Sequence, residues 1–456
     1  MTAAVESRAG RADERLLAKG ATYVSVTRAV SEPLLERRFG RAWRLAFAAA
    51  TLSTVALLAG VIWLFVEGIG IWGVNTTVVW GYAIASYVWW IGIGNAGTLI
   101  SSMLLLTRQR WRASINRFAE AMTLFAASIA GLLPILHLGR PYLFYWLAPY
   151  PNTMGVYPQW RSALVWDFWA ILSYLLFSIM FWYVGLIPDL ATLRDHARSR
   201  LARLLYGAFA LGWRGSARHW HRFEAYYWAM ASLGVPLVCS VHSVVGLDFA
   251  ASLMPGWSET IFPPYFVVGA MYSGFGIVVM LSVLFRWGLG LHDLITMRHL
   301  DLMGRILLMC AIVMGYSYAT EWFTAWYAGS PFDRGVTGYQ FTGTYAPLYW
   351  TLLLLNVAIP QALWFRTVRR SIPALFAISL LLNVGMWLER ILIIWMTLTH
   401  GHLPSRWTYF YPTAWDWLFL FAPLGFFAFM FLCLVRLVPV VSMHEVRKLV
   451  HEEGGA

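Results

Sequence analysis

The chain has 456 residues, of which 59% are hydrophobic and only 12% are charged. A water-soluble protein of this length needs more charge to cover its surface, so the composition excludes a soluble globular protein. The net charge of +12 does not indicate nucleic-acid binding, because the arginines lie in clusters between apolar runs, as in the loops that orient a membrane protein.

Ten apolar runs are long enough to cross a bilayer, which takes about 18 to 20 residues. Their approximate limits are 45–67, 79–106, 118–138, 162–187, 223–246, 264–286, 303–328, 346–366, 374–400 and 414–438. We therefore predict an all-α membrane protein with about ten transmembrane helices. It divides into an N-terminal peripheral segment (1–44), a transmembrane domain (45–438) and a C-terminal tail (439–456).

The loops between these runs alternate in charge. The fourth loop carries seven arginines, whereas the third holds only Arg140 before the next run. Basic loops remain in the cytoplasm, so we predict that both termini are cytoplasmic. The loops rich in Trp, Tyr and Pro are then outside.

The cysteines give no sign of a cofactor. Cys239, Cys310 and Cys433 are far apart inside apolar runs, and the sequence has no CxxC or CxxCH motif. The sequence therefore predicts that this chain binds no iron–sulfur cluster, c-type haem or zinc ribbon of its own, and that its cysteines pack as small buried side chains.

Ionisable residues inside the apolar runs are few, and each is a candidate for function because burying a charge in a membrane is costly. They are His137, Asp167, His242, Glu321, Glu389 and Arg390, and Asp248 lies just beyond the fifth run. His137 ends the third run and Asp167 lies near the start of the fourth. The same outer loop joins these runs, so both residues are predicted to lie in the outer half of the membrane at similar depth.

A histidine beside a carboxylate can accept a proton near neutral pH. Aromatic side chains such as Tyr142 and Trp166 would form a flat wall around this pair. The combination suits a quinol head group, which loses two protons as its electrons leave. Each residue also has a structural interpretation, since His137 can cap a helix C-terminus and Asp167 a helix N-terminus. Arg140, which precedes a proline, is predicted chiefly to anchor the loop.

Glu389 and Arg390 are neighbours in the ninth run. Adjacent residues on a helix do not face each other, so we expect each to find a partner on another helix, with Glu321 as the candidate for Arg390. The small residues around Asn95, and Gly269, Gly274 and Gly276, predict close helix packing.

Three stretches resemble a known family: GYAIASYVWWIGIGNAGTLISSMLLL, HLGRPYLFYWLAPYPN and RSALVWDFWAILSYLLFSIMFWYVGLIPDLATLRD. They are similar to the NrfD-like family, that of the polysulfide reductase membrane subunit (PsrC), and most similar to ActC-type quinol-binding subunits of alternative complex III. The resemblance covers all ten runs. It implies two four-helix bundles, formed by spans two to five and six to nine, with spans one and ten outside them.

The resemblance also implies a function. Members of this family oxidise quinol (menaquinol or ubiquinol) near the periplasmic side of the bacterial inner membrane and carry no haem or metal. The family's quinol residues match His137 and Asp167, and Asp248 and Arg390 become candidates for the surrounding polar site. His242 and Glu321 are weaker candidates, proposed from their depth alone.

Partners are implied as well. They are a periplasmic iron–sulfur subunit, a homologous NrfD-like membrane subunit and multihaem cytochrome c subunits. Protons would be released outside, with proton translocation as a further possibility.

Other functions fit the same residues. Related complexes join such a subunit to a molybdenum enzyme. In a haem-binding subunit of the cytochrome b type, His137 and His242 would be the axial ligands, which a Soret band would reveal. A secondary transporter would show broken helices near the midplane and an inverted repeat.

Overall fold

The computed structural model describes residues 15–35, 40–148, 155, 157, 159–327 and 330–454, and this part of the chain contains no β-strand. Ten helices in these ranges are long and apolar enough to cross a membrane, which confirms the predicted fold class. They are α2 (Arg41–Glu67), α3 (Tyr82–Leu106), α4 (Asn116–His137), α5 (Ala163–His196), α7 (Ala217–Ala250), α8 (Phe262–Gly288), α9 (Met297–Tyr327), α11 (Ala346–Leu353, continuing to Trp364), α12 (Ile372–Thr399) and α13 (Ala414–Leu437).

Four further helices of 10 to 13 residues lie outside the spans in the described ranges. They are α1 (Tyr23–Leu35), α6 (Arg200–Phe209), α10 (Pro331–Thr342) and α14 (Met443–Glu452). Helix α14 packs on α1, and the Glu453 carboxylate accepts the backbone N–H of Leu16 at 3.0 Å. The two ends of the described chain are therefore joined at one end of the molecule.

The spans form two bundles. Helices α3, α4, α5 and α7 pack together, as do α8, α9, α11 and α12. Helix α3 lies at the centre, because it also contacts α8 and α12 of the second bundle. Helices α2 and α13 pack against each other outside the bundles, as the sequence resemblance implies.

Glycines allow the central helices to approach closely. A Cβ at Gly97 of α3 would lie 2.0 Å from the Ala119 carbonyl oxygen of α4, and one at Gly274 of α8 would lie 1.9 Å from the Ala96 side chain of α3. Any larger residue would force these helices apart. The prediction of close packing at these small residues is confirmed.

The eighth span is irregular. Helix α11 passes at Leu354 into a π-helical turn (Leu354–Ala358) and then into a 3-10 segment (Ile359–Trp364). Pro360 lies at the start of the 3-10 segment and lacks the N–H that an α-helix would use. The wider turn projects Asn356, which is fully buried, into the second bundle.

Helices α2 and α6 mark the lipid-facing surface. Large apolar residues of α2, including Leu52, Ile62 and Val66, are more than half exposed. Such a surface is stable only against lipid or another apolar partner. Helix α6 has an exposed apolar face of Leu201, Leu204, Leu205 and Phe209, a pattern typical of helices that lie in the plane of the membrane surface.

Candidate functional site

Three helices bring ionisable side chains together at the end of the first bundle that is opposite the two described termini. Asp167 lies one turn into α5 and is 5% exposed. The Tyr87 hydroxyl of α3 donates a hydrogen bond to Asp167 Oδ2. Asp248, near the C-terminal end of α7, has its carboxyl group hydrogen-bonded to that of Asp167. We call Tyr87, Asp167 and Asp248 the acid-pair site.

Two carboxyl groups in direct contact cannot both be ionised, so the pair holds one proton between them. The Oδ1 atoms of Asp167 and Asp248 have no hydrogen-bond partner within the described residues, although both atoms are buried. The acid-pair site can therefore release or accept a proton. The sequence placed Asp248 just beyond the fifth span, whereas it lies inside α7.

His137 contacts a different part of the molecule. Its Nε2 is 3.0 Å from the Val79 carbonyl oxygen, and its ring stacks on Trp72 with 5.8 Å between centroids. A carbonyl only accepts, so the proton of the neutral imidazole is on Nε2, and Nδ1 is left as the acceptor. No hydrogen bond between His137 and Asp167 is present in the described residues, so their joint action stays a prediction.

The predicted aromatic wall lies at the outer surface. Tyr142 is 61% exposed, and Trp166 is 38% exposed with its indole N–H donating to the Trp160 carbonyl at 2.6 Å. Arg140 lines a surface cavity of about 520 Å³ with Leu138, Gly139, Leu143 and Trp146. Residues 149–154 of the same loop lie outside the described part.

His242 is buried between the two bundles, with 1% of its surface exposed. Its Nδ1 is 2.8 Å from the Asn95 side-chain nitrogen, which donates in this orientation of the amide, and its Nε2 has no partner among the described residues. The His242 ring lies 6.1 Å from that of Phe266, over which the Arg390 guanidinium packs at 4.1 Å. His242 thus connects the first bundle to the polar cluster of the second.

The prediction for Glu389 and Arg390 was wrong in one respect. Arg390 Nη1 lies 2.6 Å from Glu389 Oε1, so these adjacent residues pair with each other rather than through Glu321. Both side chains are long enough to turn toward each other. Both are also buried, and among the described residues neither has an oppositely charged group that is closer. Arg390 Nη1 and Glu389 Oε1 are not aligned for a hydrogen bond, so their contact is an ion pair only.

Glu389 is also the centre of a hydrogen-bond network. Its Oε2 accepts from the Tyr318 hydroxyl and, at 3.5 Å, from the Asn356 amide presented by the π-helical turn. The Tyr265 hydroxyl is a further hydrogen-bond partner of Glu389. We call Glu389, Arg390, Tyr318 and Asn356 the ion-pair cluster.

Glu321 belongs to a group of acids nearer the outer loops. It is hydrogen-bonded by the Gln340 side chain and lies within electrostatic range of Glu259 and Glu389. Burial raises the pKa of Glu259 to about 7, and the charge of Asp333 adds to this effect. Glu259 therefore changes its charge near neutral pH.

Several of these residues were not predicted from the sequence. Tyr87 and Tyr318 look like ordinary aromatic residues in apolar runs, and Glu259 lies in a loop. Arg117 and Glu120, at the other end of the first bundle, were missed as well. Arg117 pairs with Glu120 at 3.3 Å and with Asp189 at 3.5 Å. Glu120 lies inside the third apolar run, so the search for ionisable residues in these runs could have found it.

Within the described residues, no group of three or more His, Cys, Asp and Glu side chains is arranged to hold a metal ion. The cysteines are free, with Cys310 buried and the other two half-buried.

The amino-acid sequence is similar to that of known membrane subunits of reductases. The family model described as "Polysulphide reductase, NrfD" matches residues 71–401. A putative dimethyl sulfoxide reductase membrane subunit of Halobacterium salinarum is 28% identical over 233 residues, covering 48% of this chain and 49% of the relative. A selenate reductase subunit of Mesobacillus selenatarsenatis is 27% identical over 246 residues, covering 51% of this chain and 55% of the relative. The match thus spans about half the length of these curated relatives.

Proposed function

The chain belongs to the NrfD family, and from this premise we propose that it is the quinol-oxidising membrane subunit of a multi-subunit oxidoreductase. Quinol would bind at the outer end of the first bundle and give its electrons to an iron–sulfur partner subunit. The observation that carries the proposal is the acid-pair site, in which the Asp167 carboxyl shares a proton with Asp248 and accepts a hydrogen bond from Tyr87.

Oxidation of one quinol releases two electrons and two protons. The electrons leave through the partner, while the protons need acceptors on this chain. The acid-pair site holds one proton for two carboxyl groups and can take up a second. The unprotonated Nδ1 of His137 is the other acceptor that we assign, because its Nε2 is directed at the Val79 carbonyl.

Two kinds of partner complex are candidates for this subunit. Both relatives are named as subunits of reductases, which favours an assembly with a molybdoenzyme-type catalytic subunit. An alternative complex III type assembly, with multihaem cytochrome c and a second NrfD-like subunit, is the other candidate, favoured by the HLGRP and VWD motifs. Molybdenum analysis and the haem c spectrum of the complex, purified in mild detergent, distinguish the two.

Substitution of the two proton acceptors tests the proposal. We expect Asp167→Asn and His137→Ala each to lower quinol oxidation by about a hundredfold in the assembled complex, the usual size of a proton-transfer contribution. The measurement is oxidation of a soluble quinol analogue by an artificial electron acceptor, with assembly checked by gel filtration.

Asp416→Asn is the matched control. Asp416 also follows a tryptophan at an outer helix start and is buried, but its carboxylate caps α13 by accepting from the backbone N–H of Thr413 and Gly73 at 2.8 Å. We expect turnover of the assembled Asp416→Asn complex to match that of the wild type. Wild-type turnover in both the Asp167 and His137 variants would end the proposal.

A further inference from the structure

A cavity of about 1160 Å³ lies at the end of the molecule that carries both described termini. It is enclosed by α1, by the last turn of α5 with the residues that follow, and by α14. Its lining residues are Tyr23, Val24, Thr27, Arg28, Ser31, Glu32, Leu35, His196, Arg198, Arg447, Lys448 and His451. The acid-pair site lies at the opposite end of the first bundle, so the cavity is separate from it.

The lining has an excess of positive charge. It contains four permanent cations, from arginine and lysine, and Glu32 as its one carboxylate. Lys448 pairs with Glu224 at 3.2 Å, but both side chains are more than half exposed, where such a pair contributes little. The cavity therefore favours an anionic ligand.

One of these cations is held in a fixed position. Arg447 Nε and Nη2 donate to the Thr27 hydroxyl oxygen at 3.1 and 2.5 Å, and that hydroxyl donates to the Tyr23 carbonyl at 2.6 Å. A hydroxyl is neutral, so it orients the guanidinium without cancelling its charge. The carboxylate that acts on Arg447 is Asp189, which is already paired with Arg117.

The cavity adjoins a helix with an exposed apolar face. Arg198 is two residues before α6, whose exposed apolar face identifies it as a helix in the membrane surface. Below α6, Leu186, Leu190, Leu205 and Phe209 contribute to an apolar cavity of about 390 Å³ between α5, α6 and α13. Tyr23 and Val24 at the mouth of the charged cavity are exposed. Cations at the surface and apolar space beside them match an amphiphilic ligand.

We propose that this cavity binds the phosphate of an anionic phospholipid head group. Guanidinium groups pair with phosphate oxygens through directed hydrogen bonds. Arg447 supplies the fixed cation, Arg28 and Lys448 add positive charge to the lining, and the acyl chains remain with the lipid-facing surface of α5 and α6. Binding of this lipid would also hold α1 and α14 against the bundle.

The test compares lipid retention in two double variants of the full-length protein. Arg28→Gln/Lys448→Gln removes two cations of the cavity. Arg200→Gln/Arg218→Gln removes two exposed arginines of the same membrane face that do not line it. Each protein is purified in neutral detergent and incubated with phosphatidylglycerol, phosphatidylcholine or inorganic phosphate. Native mass spectrometry then counts bound lipid, and thermal unfolding reports stabilisation.

We expect phosphatidylglycerol to remain bound and raise the Tm of the wild type and of the control variant. Its apparent affinity for the cavity variant should fall by about tenfold or more, since each cation near a lipid surface contributes measurably. Equal loss in both double variants would assign binding to general surface charge and overturn the proposal. Equal binding of phosphatidylcholine, or stabilisation by inorganic phosphate as large as that by lipid, would overturn it as well.

Discussion

The two bundles contain a similar polar motif with opposite electrostatic outcomes. In the first, the Tyr87 hydroxyl donates to Asp167, and in the second, the Tyr318 hydroxyl donates to Glu389. The neighbour of each carboxyl differs. Asp167 contacts a second carboxyl, that of Asp248, whereas Glu389 contacts the Arg390 guanidinium. Two adjacent carboxyl groups can share one proton, whereas a guanidinium stabilises the ionised form of the carboxylate beside it. We therefore assign proton exchange to the first bundle and structure to the second.

The largest effect that we expect is on the stability of the second bundle. Arg390→Met leaves the Glu389 carboxylate buried without its counter-charge and should lower the free energy of unfolding by about 3 kcal/mol. Thermal unfolding in detergent measures the change. The double variant Glu389→Gln/Arg390→Met should recover part of the loss, because it removes both charges.

Arg305→Met is the control for this prediction. Arg305 pairs with Asp301 at 2.8 Å in the same bundle, but it is half exposed, and Asp301 keeps Arg369 as a partner at 2.9 Å. Its loss should cost less than about 1 kcal/mol. Equal stability of the Arg390→Met and Arg305→Met proteins would contradict a structural role for the ion-pair cluster.

The next effect is on turnover in the first bundle. Asp248→Asn removes the shared proton but keeps a group that can donate to Asp167, so the fold should persist while quinol oxidation falls by about a hundredfold. Steady-state turnover of the assembled complex measures this. A variant with wild-type turnover would show that the second carboxyl takes no part in proton exchange.

The two tyrosines sharpen the comparison with smaller effects. Tyr87→Phe removes one hydrogen bond from Asp167 and should lower turnover by about tenfold, the equivalent of roughly 1.4 kcal/mol. Tyr318→Phe removes the matching bond from Glu389 and should lower the Tm while turnover stays unchanged. Turnover and Tm should be measured for both variants. Lower turnover in Tyr318→Phe together with unchanged turnover in Tyr87→Phe would exchange the roles of the bundles.

The smallest effect concerns pH and Glu259. Its pKa of about 7 in the folded protein is above the ordinary value of 4.5 because of burial and the charge of Asp333. The folded state then binds more protons than the unfolded state between these values, so stability falls as pH rises through this window. Glu259→Gln should remove that fall. Unfolding curves at pH 5 and pH 8 test it, and an unchanged pH dependence in the variant would count against this assignment.

Much of the architecture was predictable because it depends on local properties. The ten spans follow from apolar length, and all ten are found as helices, with boundaries that shift by a few residues in most cases and by up to nine at the end of α5. The small residues of α3 and α8 correctly indicated close packing. The inner orientation of the termini, the domain limits and the partners stay predictions.

The candidate site was predictable only in part. Asp167 and Arg390 stood out as ionisable residues in apolar runs, and Asp248 as one just beyond a run. Nothing local to Asp167 points to Tyr87, which lies 80 residues away along the chain. The pairing of Glu389 with Arg390 was misjudged because helix geometry alone disfavours it, and the buried surroundings override that preference.

The sequence by itself determined that this is a membrane protein of ten helices, because hydropathy over a span is a sum of residue properties that need no partner. It also singled out several of the residues that bear charge within the spans, although Arg117 and Glu120 were missed. Only the tertiary structure decided how those charges are grouped. Helices α3, α5 and α7 converge to set two carboxyl groups against each other, while the π-helical turn at Asn356 adds an amide to Glu389. Contact between residues distant along the chain depends on how helices pack. The assignment of proton exchange to the first bundle and of a structural role to the second therefore depends on helix packing as well.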